Sequence, residues 1–104
     1  LRNAFNIMQH DQYQKGLATI RAEIDEVLAD RGILAAAIAV NEDNAERRSA
    51  TMRSATMRSA TISITVNGDT QTETFTYDEI EDSGEAIDAP AAIKVRMLIS
   101  HFVR

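Results

Sequence analysis

Cysteine is missing from this 104-residue chain, as is tryptophan, and aromatic residues make up only 5% of it. Without thiols there can be no disulfide and no thiolate metal site, a composition that fits a reducing compartment. Without tryptophan, the core has to be assembled from isoleucine, leucine, valine, methionine and many alanines. Such a core suits closely packed helices, and a small one gains when a second subunit adds apolar area. The four glycines, Gly16, Gly32, Gly68 and Gly84, are too scattered to form a phosphate-cradling loop. No apolar run approaches the ~20 residues of a membrane span; the best is ILAAAIAV, Ile33 to Val40. A charged start followed by a signal-like apolar stretch is also lacking. The chain opens on Leu1, which leaves room for a missing initiator methionine or a longer leader. A soluble, intracellular protein is expected.

What is present is ordinary globular composition, 44% hydrophobic and 26% charged, enough for one domain over residues 1–104 with a modest core. The net charge of −5 disfavours indiscriminate nucleic-acid binding, which draws its affinity from neutralised phosphates.

Residues 1–10 place Leu1, Phe5 and Met8 at helical spacing and read as a short helix or an arm. Beyond them, Tyr13, Leu17, Ile20, Ile24 and Val27 alternate steps of four and three, which sets them on one helical stripe. Asp11 suits an N-cap and Gly32 a left-handed C-terminal stop, with Arg31 in the last turn. Gly16 reads as an interruption on the polar side of the stripe, at a cost of about 1 kcal/mol. After Gly32, Leu34, Ile38, Asn41 and Ala45 again fit a helical face, so an antiparallel helical hairpin is expected over residues 11–60.

That hairpin would have to absorb SATMRSATMRSATIS, Ser49 to Ser63, a five-residue unit in tandem. Five residues advance a helix by about 500°, leaving equivalent positions about 140° apart. In a strand, an odd period flips the face each time. Neither structure repeats its face on this period, so the repeat reads as a small duplication tolerated as extra helix, fraying near Ala60.

Residues 61–77 carry a β signal. Ile62, Ile64 and Val66 alternate with hydroxyl residues, Asn67-Gly68 supplies a turn, and threonines alternate through Phe75. A two-residue turn sets Ile64 opposite Gln71 and Ile62 opposite Glu73. A three-residue loop sets the isoleucines opposite Thr70 and Thr72 and keeps that face free of ions, and is the expected register. An isolated hairpin is marginal in water, so it must lie on the helices or join a partner's sheet. An acidic loop follows, and then a helix over residues 88–104, capped by Asp88 with Pro90 in its first turn. Ala91, Val95, Leu98 and Phe102 form its inner stripe.

The residues offer little chemistry. Asp78, Glu79, Glu81, Asp82, Glu85 and Asp88 could attract a divalent cation, but no start point satisfies the calcium-loop rule, and a solvated loop is the simpler reading. His10 and His101 stand in no ligand spacing. No serine sits in a nucleophile-elbow context. Catalytic, metal and cofactor residues are therefore expected to be none. From Arg47 to Gly68 there is no acidic residue, while Arg47, Arg48, Arg53 and Arg58 bring four positive charges. With hydroxyls between them they could contact phosphates, although no aromatic platform for bases is near. Pairing with the acidic loop, within the chain or across a subunit boundary, is the favoured alternative.

In the C-terminal segment PAAIKVRMLISHFVR, Pro90 and the Ile93-Lys94 pair precede a leucine-rich run at Leu98, the His101-Phe102 pair and Arg104. This segment resembles the last helix of small phage head–tail connector proteins, and the resemblance implies a virion connector subunit.

The expectation is thus an α+β domain with an antiparallel helical hairpin, one β-hairpin and a C-terminal helix packing on the core. Its expected role is a non-catalytic structural or adaptor one, as a homo-oligomer or in a small protein assembly. The possible interface is the stripe Tyr13, Leu17, Ile20, Ile24 and Val27, helped by the hairpin edge. The alternatives are the connector subunit, hence virion-associated as well as cytoplasmic locations, and nucleic-acid binding through the Arg47–Arg58 segment.

Overall fold

The computed structural model describes residues 2–43, 46–48, 54–56 and 59–102, with side chains described for residues 12–42 and 59–102. The order of elements is α1 (Arg2–Asp30), β1 (Ala37–Asp43), β2 (Glu46–Arg48), β3 (Ser54–Thr56), β4 (Ser59–Val66), β5 (Asp69–Thr76), α2 (Tyr77–Asp82) and α3 (Ala89–Ser100). The class is α+β, with helices on one face of a three-stranded antiparallel sheet ordered β1-β4-β5.

α1 is one continuous helix of 29 residues, so residues 2–10 belong to it as no separate arm and Asp11 is interior, not a cap. Its stop follows from Gly32, which takes φ 75° as only glycine does freely. The Gly32 N–H bonds the Ala29 carbonyl at 3.0 Å and the Ile33 N–H bonds that of Leu28 at 2.9 Å, the paired closure of a Schellman motif. Arg31 lies just past the helix.

The second arm of the expected helical hairpin is instead β1. Alanine suits either period, and in Ala37-Ile38-Ala39-Val40 the large side chains recur every second residue, the strand period. The ladder with β4 settles the matter, pairing Ile38 with Ile64 and Val40 with Ile62. The described part of the repeat, Ser54–Thr56 and Ser59–Ser63, does not extend a helix either. Ser54–Thr56 pair with Glu46–Arg48 as a two-stranded ribbon, and Ala60, the expected fraying point, is fully buried in β4.

The β4–β5 turn is the two-residue one, with Val66 opposite Asp69, Ile64 opposite Gln71 and Ile62 opposite Glu73. This overturns the three-residue register. Asn67 and Gly68 both take positive φ, 52° and 83°, as the hairpin turn that follows strand twist requires. Gln71 and Glu73 are long enough to stay half-exposed beside the buried isoleucines. On the opposite face the same register aligns hydroxyls, with Thr61–Thr74 and Ser63–Thr72 at 3.1 Å and Thr65–Thr70 at 2.7 Å.

The core gathers Tyr13, Ile20 and Ile24 from α1, Ile62, Ile64 and Phe75 from the sheet, Ile80 from α2, and Val95, Leu98 and Ile99 from α3. Each fully buried aliphatic side chain contributes about 1.5–3 kcal/mol. Asp88 takes the N-cap position of α3 without the side-chain capping bond expected of it, Pro90 lies in the first turn, and Ala91, Val95, Leu98 and Ile99 turn inward, so the C-terminal helix packs on the core.

The first half of the expected acidic loop is α2. Its N-cap Thr76 accepts from the Glu79 N–H at 3.2 Å, and Glu79 Oε1 accepts from the Thr76 N–H at 2.9 Å, a reciprocal capping box. Gly16 is buried against this helix, where the sequence reading put it on a polar face.

Candidate functional site

The sheet has two edges, and the fold treats them differently. β5 is covered. α3 lies along it, and Lys94 Nζ donates to the Thr74 carbonyl at 2.8 Å and to Glu79 Oε1 at 2.8 Å. The same ammonium stands 5.8 Å from the centre of the Phe75 ring. Burial alone would raise the Glu79 pKa. The Lys94 hydrogen bond, the Thr76 backbone and hydroxyl bonds and the Lys94 charge together outweigh it and hold the carboxyl below its usual range.

β1 is the open edge. Which of its amides face outward follows from the β4–β5 turn. The pair that closes a two-residue turn, Val66–Asp69, exchanges both hydrogen bonds, and bonded and non-bonded pairs then alternate along β4. Thr61, Ser63 and Thr65 therefore direct their backbone bonds to β1, where they meet Asn41, Ala39 and Ala37. The same alternation turns the Thr74 carbonyl away from β4, which is where Lys94 reaches it. On β1, the N–H and C=O groups of Ile38 and Val40 point away from the sheet. Among the described residues, no hydrogen bond meets them.

Below this edge, between the end of α1 and the start of β1, lies an open groove of ≈ 240 Å³. Leu28, Ala29, Ile33, Leu34 and Ile38 line it, with Asp25 the one charged lining residue. Leu34 is 91% exposed at its side and Val40 36% exposed on the strand. Ile33 to Val40 carries no charge. Natural edge strands are usually blunted by a lysine, a proline, a bulge or a covering element, and β5 has such a lysine, Lys94, at Thr74. A second exposed apolar pair, Ile93 and Met97, sits one turn apart on α3 at 58% and 57% exposure.

The stripe singled out from the sequence lies inside the chain. Tyr13, Ile20 and Ile24 are fully buried, Val27 is 9% exposed, and Leu17 packs against the same cluster. Tyr13 also stacks on Tyr77, ring centres 5.6 Å apart. Arg47 and Arg48 fall on β2, with their side chains outside the described residues, and Arg53 and Arg58 lie outside those residues altogether. Of the two histidines, His101 is exposed at the end of α3, and the side chain of His10 lies outside the described part. Among the described residues, no group of three or more histidines or carboxylates could hold a metal ion, and no helix is long and apolar enough to cross a membrane. Sequence reasoning missed β1 as an edge, although the alternation of Ile38 and Val40 was there to find.

Comparison with protein-family models, with curated proteins and with solved structures finds no match.

Proposed function

We infer that the protein is a non-catalytic structural or adaptor module that works by self-association, and that β1 is where it associates. The observation that carries this reading is the asymmetry of the sheet. The β5 edge is closed at Thr74 and Thr76 by Lys94 and Glu79, while β1 presents outward amides beside a largely apolar groove. Strand addition at such an edge takes its affinity from backbone hydrogen bonds and its selectivity from alternate side chains. A subunit of a larger assembly, such as the virion connector that the C-terminal segment resembles, would use the same edge.

Sedimentation velocity tests the reading. The wild-type chain is expected as a dimer or larger species at micromolar concentration. Val40→Lys places a charge on the inner side of the edge at a half-open position and is expected to sediment as a folded monomer with an unchanged circular dichroism spectrum. A wild-type protein that is monomeric throughout that range refutes the proposal.

A second reading rests on the ribbon. Arg47 and Arg48 stand on a two-stranded β-ribbon and not on a helix, and the major groove of B-DNA admits such a ribbon. In a gel-retardation assay at low salt, this reading predicts a shifted duplex, a shift weakened by Arg53→Ala with Arg58→Ala, and a shallower salt dependence in that variant. An unshifted duplex with the wild-type chain rejects it.

A further inference from the structure

We propose that two copies of the chain join edge to edge through β1 in one particular register, antiparallel about a twofold axis normal to the sheet, with Ala39 opposite the second copy's Ala39. This rests on the self-association reading above and adds its occupant and its alignment.

A twofold axis normal to the sheet keeps each face on its own side, so groove-face residues of one copy oppose groove-face residues of the other. Ile38, Val40 and Glu42 share that face, opposite Ile64, Ile62 and Ala60 of β4. Only even offsets are then open, and charge selects among them. Centring on Val40 sets Ile38 against Glu42 and brings a carboxylate over the apolar groove. Centring on Ile38 leaves only residues 37–39 of each strand paired with strand and sets Glu42 against Leu34. Centring on Ala39 sets Ile38 against Val40 twice over and moves Glu42 out to Ala36.

The backbone agrees. Ile38 and Val40 carry the outward amides, so each Ile38–Val40 pair exchanges two hydrogen bonds, and Ala39 meets its symmetry mate as a non-bonded pair. The sheet becomes six-stranded with all helices on one face. Each copy's Ile38 then lies beside the other copy's Val40 and covers its exposed side. The uncharged segment Ala37 to Asn41 is complementary to itself in this register, setting Ile38 on Val40 and Ala37 on Asn41, which is why a second copy is the occupant.

The natural chain has no cysteine, so single thiols report the register directly. Non-bonded antiparallel pairs bring Cα atoms to about 4.5 Å, inside the disulfide range of about 4.4–6.8 Å. Ala39 is exposed on the hydroxyl face and tolerates the change. In a glutathione redox buffer, Ala39→Cys is expected to form a covalent dimer, read on a non-reducing gel. Ala37→Cys is expected not to link to itself, but to link to Asn41→Cys when the two proteins are mixed. A protein that sediments as a dimer but whose Ala39→Cys form stays unlinked, or whose Ala37→Cys form self-links in preference, overturns this register and leaves self-association standing. A monomer in sedimentation brings down both.

Discussion

Replacing Gly16 with alanine should destabilise the protein, although a helix interior ordinarily gains about 1 kcal/mol from that exchange. Gly16 lies where α1 crosses α2. A Cβ built on it overlaps the Ile80 carbonyl oxygen and sits 2.6 Å from the carbonyl carbon, where ordinary contact begins at 3.4 Å. The obstacle is backbone, which cannot rotate away as a side chain would. Helix α2 must therefore retreat by about an ångström, and overpacking of that kind costs about 1–3 kcal/mol. The Ile80 carbonyl also takes the Ser83 N–H at 3.1 Å, so the end of α2 has to move with it. The Tyr13–Tyr77 stack, which joins the same two helices, would open too. With the backbone obstacle at the upper end of the range and the propensity gain subtracted, the net loss is about 1–2 kcal/mol. For a domain of this size that lowers the melting temperature by roughly 5–15 °C. Thermal melts followed by circular dichroism measure it, with urea titrations as a second readout. Ala22→Gly, on the exposed side of α1, is the control and should cost about 1 kcal/mol through propensity alone. Glycine-to-alanine and alanine-to-glycine would then both destabilise the same helix. A Gly16→Ala protein melting at or above the wild type refutes the close approach of α1 and α2.

Two further outcomes concern the contacts around α2. Glu79 has its pKa lowered on folding, so its contribution is present above the ordinary glutamate value of about 4.3 and is lost as pH falls through the folded value. Lys94→Met should therefore lower the melting temperature near neutral pH, by a loss of about 0.2–1 kcal/mol for the partly exposed ion pair. The gap to wild type should narrow in acid, and a gap that widens there contradicts the assignment. Ser83 is fully buried, donates to the Glu79 carbonyl at 2.7 Å and accepts the Asp88 N–H at 2.9 Å. Ser83→Ala leaves those groups short of a partner and should cost about 1–3 kcal/mol in a urea titration, whereas an unchanged midpoint would show that the 83–88 connection does not depend on that hydroxyl.

Much of the helical layer was legible because its signals are periodic and local. The Tyr13–Val27 stripe, the stop at Gly32 and the inner face of α3 all follow from spacing, and the structure buries or closes each of them. β1 was not read because alanine satisfies a period of 3.6 as readily as a period of 2, leaving Ile38 and Val40 to decide alone. The capping box at Thr76 and Glu79 was visible as Thr-x-x-Glu, but six carboxylates nearby gave the stretch the look of a solvated loop. The hairpin register was misjudged by weighing ions on one face, whereas the positive φ pair at Asn67-Gly68 and the matched hydroxyls on the other face fix it. Gly16 could not be read at all, since its meaning depends on Ile80, 64 positions away in the chain. The candidate site was hidden for a similar reason. A strand becomes an edge only through the order of the sheet, and order is a long-range property.

Most of the five-residue repeat, Ser49 to Arg58, precedes Ser59, where β4 joins the ladder with β1. The β1–β4 ladder ends with Asp43 opposite Ser59, and the β2–β3 ladder begins with Glu46 opposite Thr56, three residues further along each strand. Both ladders share one register, so they are collinear in pairing. Five residues inserted beyond Asp43 and before Ser59 alter the length of that connection without shifting any pair from Ala37–Thr65 to Asp43–Ser59. A slip within the core ladder would have turned Ile62 and Ile64 to the hydroxyl face, since one residue of offset reverses every side chain. An odd number of residues added between Asp43 and Ser59 leaves the buried face of the sheet, and the open edge beside it, unchanged.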